Sequence, residues 1–230
     1  SVTGSKPIDL LSGLGEELIR LPAGLPPGPP PKDRLDGASC PHRARVAQLP
    51  VAFTCEAHSI PGLAHPDTPA IAVLGHLLWI GYLNPEARRI GAYGIDVQTL
   101  PERGLFWISS RRDPVPAGTY RAFSEGLARF REGRWEGPRA EEGMLAALRV
   151  TDPVDSPALA ARRAWLGRFT GHTTGLWNEF RKRLLEVTDA DLQRVADQYL
   201  TAGARATLIG PSMLQEMGEE SRMFDEVEEI

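Results

Sequence analysis

Leu10, Leu11, Leu14, Leu18 and Leu21 recur at steps of three and four, which predicts a short amphipathic helix over 8–21. Six prolines between Pro22 and Pro31 follow it. Proline lacks an amide donor and fixes φ, so neither helix nor sheet can run through them, and the stretch reads as an extended linker. ARVAQLPVAFTCEAHSI, 44–60, reads as one extended strand region, with Val46, Val51 and Phe53 apolar and Pro50 suited to an edge or a bulge. Asp67 can cap a helix that tolerates Pro69 in its first turn. Ile71, Leu74, Leu77, Leu78 and Tyr82 make that helix apolar nearly all round, which places it in the middle of the domain.

GAYGIDVQTL and GLFWISSR read as two strands joined by the loop PERG, with Ile95 and Val97 alternating against Asp96 and Gln98. From Ala117 the period becomes helical: Tyr120, Phe123, Leu127 and Phe130 mark a face that packs on a sheet. Four further helices are predicted at about 139–149, 155–169, 173–186 and 189–200. Asp155-Ser156-Pro157 opens the second of these, and Thr188 can cap the last. ARATLIGP, 204–211, is a final short strand, and the acidic tail to Ile230 is expected to be loosely held. The order of elements predicts an α+β fold, a mostly antiparallel sheet with helices packed on one face. Its boundaries divide the chain into 1–42, an amino-terminal helix and proline-rich linker, a main domain over 43–212, and a tail over 213–230.

Composition refines this picture only in places. The 230 residues suffice for one large domain with an appendage. A net charge of -4 argues against nucleic acid as the main partner, since binding phosphates needs a basic face. Arg162-Arg163 and Arg181-Lys182-Arg183 read as solvated helix faces. The longest apolar stretch, Ile71 to Leu83, spans 13 residues. A membrane helix needs about 20, so no membrane span is expected. SVTGSKPIDLL lacks the parts of a secretory signal, and two cysteines are too few for a disulfide scaffold. A reducing, cytoplasmic setting is expected unless a targeting segment lies upstream.

Candidate chemistry is sparse. Cys40-x-His42 with Cys55-x-x-His58 has acceptable zinc-ligand chemistry but irregular spacing, and isolated side chains are the expected reading. His76 lies inside the apolar helix as a core or edge residue. Gly91-x-x-Gly94 lacks the rest of a phosphate-binding fingerprint, and no Gly-x-Ser-x-Gly elbow supports a serine hydrolase. More distinctive is EARRIGAYGIDV, 86–97, where Arg88 and Arg89 lie just ahead of a tyrosine wrapped in glycines.

Several stretches match one pattern in the same order: HPDTPAIAVLGHLL, GYLNPEARRIGAYG, the strand ending SSRRDP, the long helix after it, and GHTTGLWNEFRKRLLEVTDADLQRVADQYL. Together, over about 46–205, they resemble the carboxyl-terminal domain of pitrilysin-like zinc metallopeptidases, in the presequence-protease branch. That resemblance implies a clamshell of two halves enclosing a chamber for unfolded peptides. Zinc is implied in the amino-terminal domain, through His-x-x-Glu-His, a motif missing from these residues. No cofactor is expected on this chain, which by itself is expected to be inactive. Residues 1–42 would end the preceding domain, and the implied partners are the zinc-bearing half and the peptide substrates.

In the family an arginine and a tyrosine of this domain hold the substrate. Tyr93 matches the tyrosine, Arg88 stands one position closer to it than the family arginine, and Arg89 falls near the usual lysine. Gly91, Gly94, Arg112 and Asp113 match as structural turn residues, while Arg111 replaces a tyrosine of the pattern. A tyrosine hydroxyl can donate to a carbonyl oxygen as it becomes anionic, and an arginine fork can position backbone carbonyls. Tyr93 shares strand parity with Ile95 and Val97, so it is core if helices cover that face and functional if that face lines the chamber. The alternative function is a catalytically inactive partner subunit or structural module of the same fold.

Overall fold

Buried residues alternate with more exposed ones along the inner strands of a six-stranded sheet, in a computed structural model that describes residues 40–151 and 156–230. The expected helix over 8–21 and the proline-rich linker lie outside the described residues. The strands are β1 (Arg43–Val46), β2 (Ala52–Ser59), β3 (Gly94–Leu100), β4 (Leu105–Asp113), β5 (Ala204–Ile209) and β6 (Glu226–Glu229). Their order is β3-β4-β2-β5-β1-β6, antiparallel as far as β5 and parallel across β5-β1-β6.

The single extended region expected over 44–60 is two strands, because β5 inserts between them. β1 pairs with one side of β5 and β2 with the other. The link crosses the end of β5, where Ala47 N–H donates to Ile209 O at 3.0 Å. Leu49 O then lies 1.8 Å from the place a Cβ on Gly210 would occupy.

Helices cover the face that carries Ile95, Phe106, Ile108 and Ile209. α1 (Thr68–Leu78) runs through the middle, with Ile71, Val73, Leu74, Leu77 and Leu78 fully buried, as its all-round apolar pattern requires. It continues through a π turn (Trp79–Leu83) into α2 (Asn84–Ile90). Then come α3 (Pro116–Arg131), α4 (Ala140–Thr151), α5 (Pro157–Thr170), α6 (Thr174–Leu184) and α7 (Asp189–Tyr199). Thr188 caps α7 in a reciprocal box with Asp191. Asp67 does not cap α1 with its side chain. Its carboxylate is taken instead by the Tyr199 hydroxyl at 2.7 Å and Arg194 at 2.8 Å, tying α1 to α7.

The tail is docked, against the expectation of a loose segment. After α8 (Pro211–Glu216) and a 3-10 turn, β6 adds to the sheet beside β1. Backbone pairing with β1 and buried Phe224 hold it, and its acidic residues find basic partners there. Glu226 and Glu228 meet Arg43 and Arg45 at 2.7 and 3.3 Å, and Asp225 accepts the His42 amide at 2.6 Å. Phe224 and Tyr120 both place rings edge-on against His42.

Burial, with Arg205 nearby, holds the His42 imidazole below its ordinary pKa. An unfolded histidine takes up a proton near pH 6.5, whereas the folded one resists it, so stability is lost as pH falls below that value. The thermal midpoint should therefore drop between pH 8 and pH 5.5, and drop less in His42→Gln. Equal losses in both proteins would rule out His42 as a source of the acid sensitivity.

Candidate functional site

The site begins at the end of α2. Gly91 adopts φ 77°, its amide donates to Arg88 O at 3.3 Å, and Ala92 N–H donates to Ala87 O at 3.0 Å. These two bonds close the helix and swing the chain out of it, a turn that glycine makes without a Cβ penalty. Ala92 is buried, and the next side chain points away from the core. Tyr93 is 73% exposed, and its amide donates to Arg111 O at 3.1 Å.

Tyr93 is therefore not a core residue. Helices do cover the Ile95 face, and Ile95 is buried. Tyr93, however, precedes Gly94, where β3 starts, and follows the turn rather than the pleat. Strand parity does not reach that residue.

The second wall is the end of β4. Thr54 pairs with Ser110, yet Ala52 pairs with Asp113, so β4 carries an extra residue there. This is a β-bulge. Arg112 within it has φ 50°, a left-handed conformation found at no other non-glycine among the described residues. The fully buried Asp113 anchors the bulge: Oδ2 accepts from Ser110 Oγ at 2.7 Å and Thr54 Oγ1 at 3.4 Å, and Oδ1 from Val115 N–H at 2.9 Å. The Arg112 guanidinium lies over the Tyr93 ring, 5.4 Å from its centroid.

Arg111 turns the other way and pairs with Asp96 at 2.7 Å. Arg88 and Arg89 are exposed on α2 beside buried Ala87, and Arg89 is bound by Glu86 through its Nε at 2.9 Å. The structure shows no hydrogen bond or cation–π contact from either to Tyr93. Of the residues singled out in sequence, it brings Tyr93 and Arg112 into contact, with Gly91, Gly94 and Asp113 shaping the turn around them. The contact itself had no sequence signal beyond Arg-Asp-Pro at a strand end, since a positive φ at arginine follows no composition rule.

The sequence reading also missed a buried ion network on the helix-covered face of β2. Glu56 bonds His58 Nε2 at 2.9 Å and Arg205 Nε at 2.8 Å. Burial pushes the Glu56 carboxyl up, but those two partners outweigh it and hold it below the usual range. Cys55 and His58, weighed as metal ligands, are three residues apart in β2 and so lie on opposite faces. No group of three or more His, Cys, Asp or Glu among the described residues could hold a metal. What meets at Tyr93 is a phenol and the Arg112 guanidinium, hydrogen-bond donors suited to carbonyl or carboxylate oxygens.

No protein-family model matches the chain. Curated relatives do. A mitochondrial presequence protease of Emericella nidulans is 30% identical over 196 residues, covering 83% of this chain and 18% of that protein. The Saccharomyces cerevisiae mitochondrial presequence protease is 29% identical over 208 residues, covering 88% and 21%. Among solved structures, a peptidase M16 inactive domain from Pseudomonas fluorescens superposes with TM-score 0.58 at 19% identity, over 75% of this chain and 43% of that one. The inactive peptidase domain of a Bordetella parapertussis protein gives 0.57 at 15% identity, over 71% and 96%.

The chain belongs to the pitrilysin-like metallopeptidases, in the presequence-protease branch. Its fold is that of the two solved inactive peptidase domains. As a pitrilysin-like domain it spans about a fifth of the length of the curated relatives it matches. Those relatives are mitochondrial by name, in contrast to the cytoplasmic setting expected from the cysteines. No helix among its described residues is long and apolar enough to cross a membrane.

Proposed function

We propose that this chain is the carboxyl-terminal domain of a zinc-dependent endopeptidase that degrades unfolded peptides in a closed chamber, and that it contributes substrate binding rather than zinc. The observation that carries the reading is the exposed Tyr93, held by the Gly91 turn with its hydroxyl free of hydrogen bonds to the described residues. A buried or engaged phenol would have no donor to offer. Its hydroxyl donates to a peptide carbonyl oxygen near the scissile bond, and Arg88, which has no ion pair among the described residues, is placed to add donors along the peptide backbone. Arg89, already bound to Glu86, is the weaker candidate.

On this reading the amino-terminal half holds the zinc and activates water. This domain closes the chamber and restrains the peptide, which supplies positioning rather than proton transfer. No step of the hydrolysis runs through a group on this chain other than hydrogen-bond donation.

Tyr93→Phe tests the proposal in the full-length protein, with an unstructured fluorogenic peptide as substrate. Removing one oxyanion donor from a preorganised site lowers turnover by about 100-fold, and a donor to a neighbouring carbonyl by less. We expect kcat/KM to fall by about 10- to 100-fold at unchanged thermal midpoint. Unchanged turnover would overturn the substrate-binding role and favour the inactive partner subunit or structural module.

A further inference from the structure

We infer that Arg112 is the positioning residue for Tyr93, and that the β-bulge of β4 exists to hold it there. The inference rests on the peptide-binding reading of Tyr93 and adds a residue that the family pattern supplies only as part of a turn.

Three observations converge on it. The first is conformational: Arg112 has φ 50°, where an arginine Cβ crowds its own backbone and glycine would not. A side chain is therefore kept at a position that its backbone disfavours. The second is the anchoring. Asp113, fully buried, collects Ser110 Oγ, Thr54 Oγ1 and the Val115 amide, so the residues on either side of the bulge are fixed to β2 and to the start of α3. Strain that is over-determined by its surroundings, next to a candidate binding residue, points from geometry to function.

The third is what the strained residue touches. Arg112 makes no ion pair among the described residues, whereas its neighbour Arg111 is bound by Asp96. Its guanidinium lies over the ring of Tyr93, which is otherwise exposed to water and free to rotate about its side-chain torsions. A planar cation on one face of the ring restricts those torsions and leaves the hydroxyl edge open. Fewer phenol orientations then have to be lost when a carbonyl oxygen arrives.

The test compares Arg112→Gly, Arg112→Lys and Tyr93→Phe in the full-length protein, reading kcat, KM and the denaturation midpoint of each. Glycine relieves the left-handed backbone while removing the cation over the ring. Arg112→Gly should hold or raise the midpoint while kcat falls about five-fold, with KM little changed. Lysine keeps the charge but not the planar guanidinium, so the kcat of Arg112→Lys should lie between those of Arg112→Gly and the unmodified protein. Parallel loss of midpoint and turnover in Arg112→Gly would make the residue structural and overturn the inference. So would unchanged kcat in Arg112→Gly alongside a fall in Tyr93→Phe, which leaves the function of Tyr93 standing. Unmodified protein without peptidase activity, or Tyr93→Phe without effect, would remove the functional reading and the inference with it.

Discussion

Gly210→Ala should destabilise the domain by about 3 kcal/mol or more, at the upper end of what overpacking produces. The added Cβ would stand 1.8 Å from Leu49 O and 2.9 Å from Leu49 C. Both are backbone atoms, so no side-chain rotation relieves the overlap. The link between β1 and β2 would have to lift from the end of β5, and Ala47 N–H would lose its bond to Ile209 O. Urea unfolding of the wild type and the variant measures the difference. A change below about 1 kcal/mol would mean that the crossover is mobile enough to yield, and that the close approach is incidental.

The same crossover shows where sequence reasoning stops. Ile95 and Val97 against Asp96 and Gln98, or Tyr120, Phe123, Leu127 and Phe130, announce strand and helix because each period is local to its segment. Thr188 is equally visible, since a cap acts on amides two or three residues away, whereas the Thr173 cap emerges only in the structure. Nothing local, however, says that β5, some 150 residues on, slips between Val46 and Ala52 and divides one extended run into two strands. The tail was misjudged for the same reason. Its acidity reads as solvation until Arg43 and Arg45 are placed beside it, and only the parallel pairing of β1 with β6 does that.

The candidate site divides along the same line. Gly91 matches as a turn residue in GAYG, and the structure gives it the positive φ of a helix end, whereas the exposure of Tyr93 has no such signal. Strand parity left Tyr93 undecided, since parity holds only after a strand has begun. Arg112 was legible as part of a turn and not as a partner of Tyr93. Its role depends on a bulge that exists only in the register of β4 against β2.

Asp113→Ala should couple the fold to the site, with a loss of about 3 kcal/mol in stability. Three donors converge on its carboxyl oxygens, and truncation leaves Ser110 Oγ and the Val115 amide without that acceptor, while Thr54 and Ser110 keep only their mutual bond at 2.8 Å. Hydrogen bonds to a buried carboxyl are among the stronger ones, and unsatisfied buried donors add a desolvation penalty. Asp113→Asn retains one oxygen and should lose about half as much. Without the anchor, nothing holds Arg112 at φ 50°, and the arginine relaxes toward ordinary strand geometry and away from Tyr93. Asp113→Ala should therefore lower the midpoint and peptide turnover together, the opposite of the separation expected for Arg112→Gly. Urea unfolding and turnover on the same preparations decide it. An Asp113→Ala protein within about 1 kcal/mol of the wild type would show that the bulge is held by the strands themselves, and that the carboxyl is not its anchor.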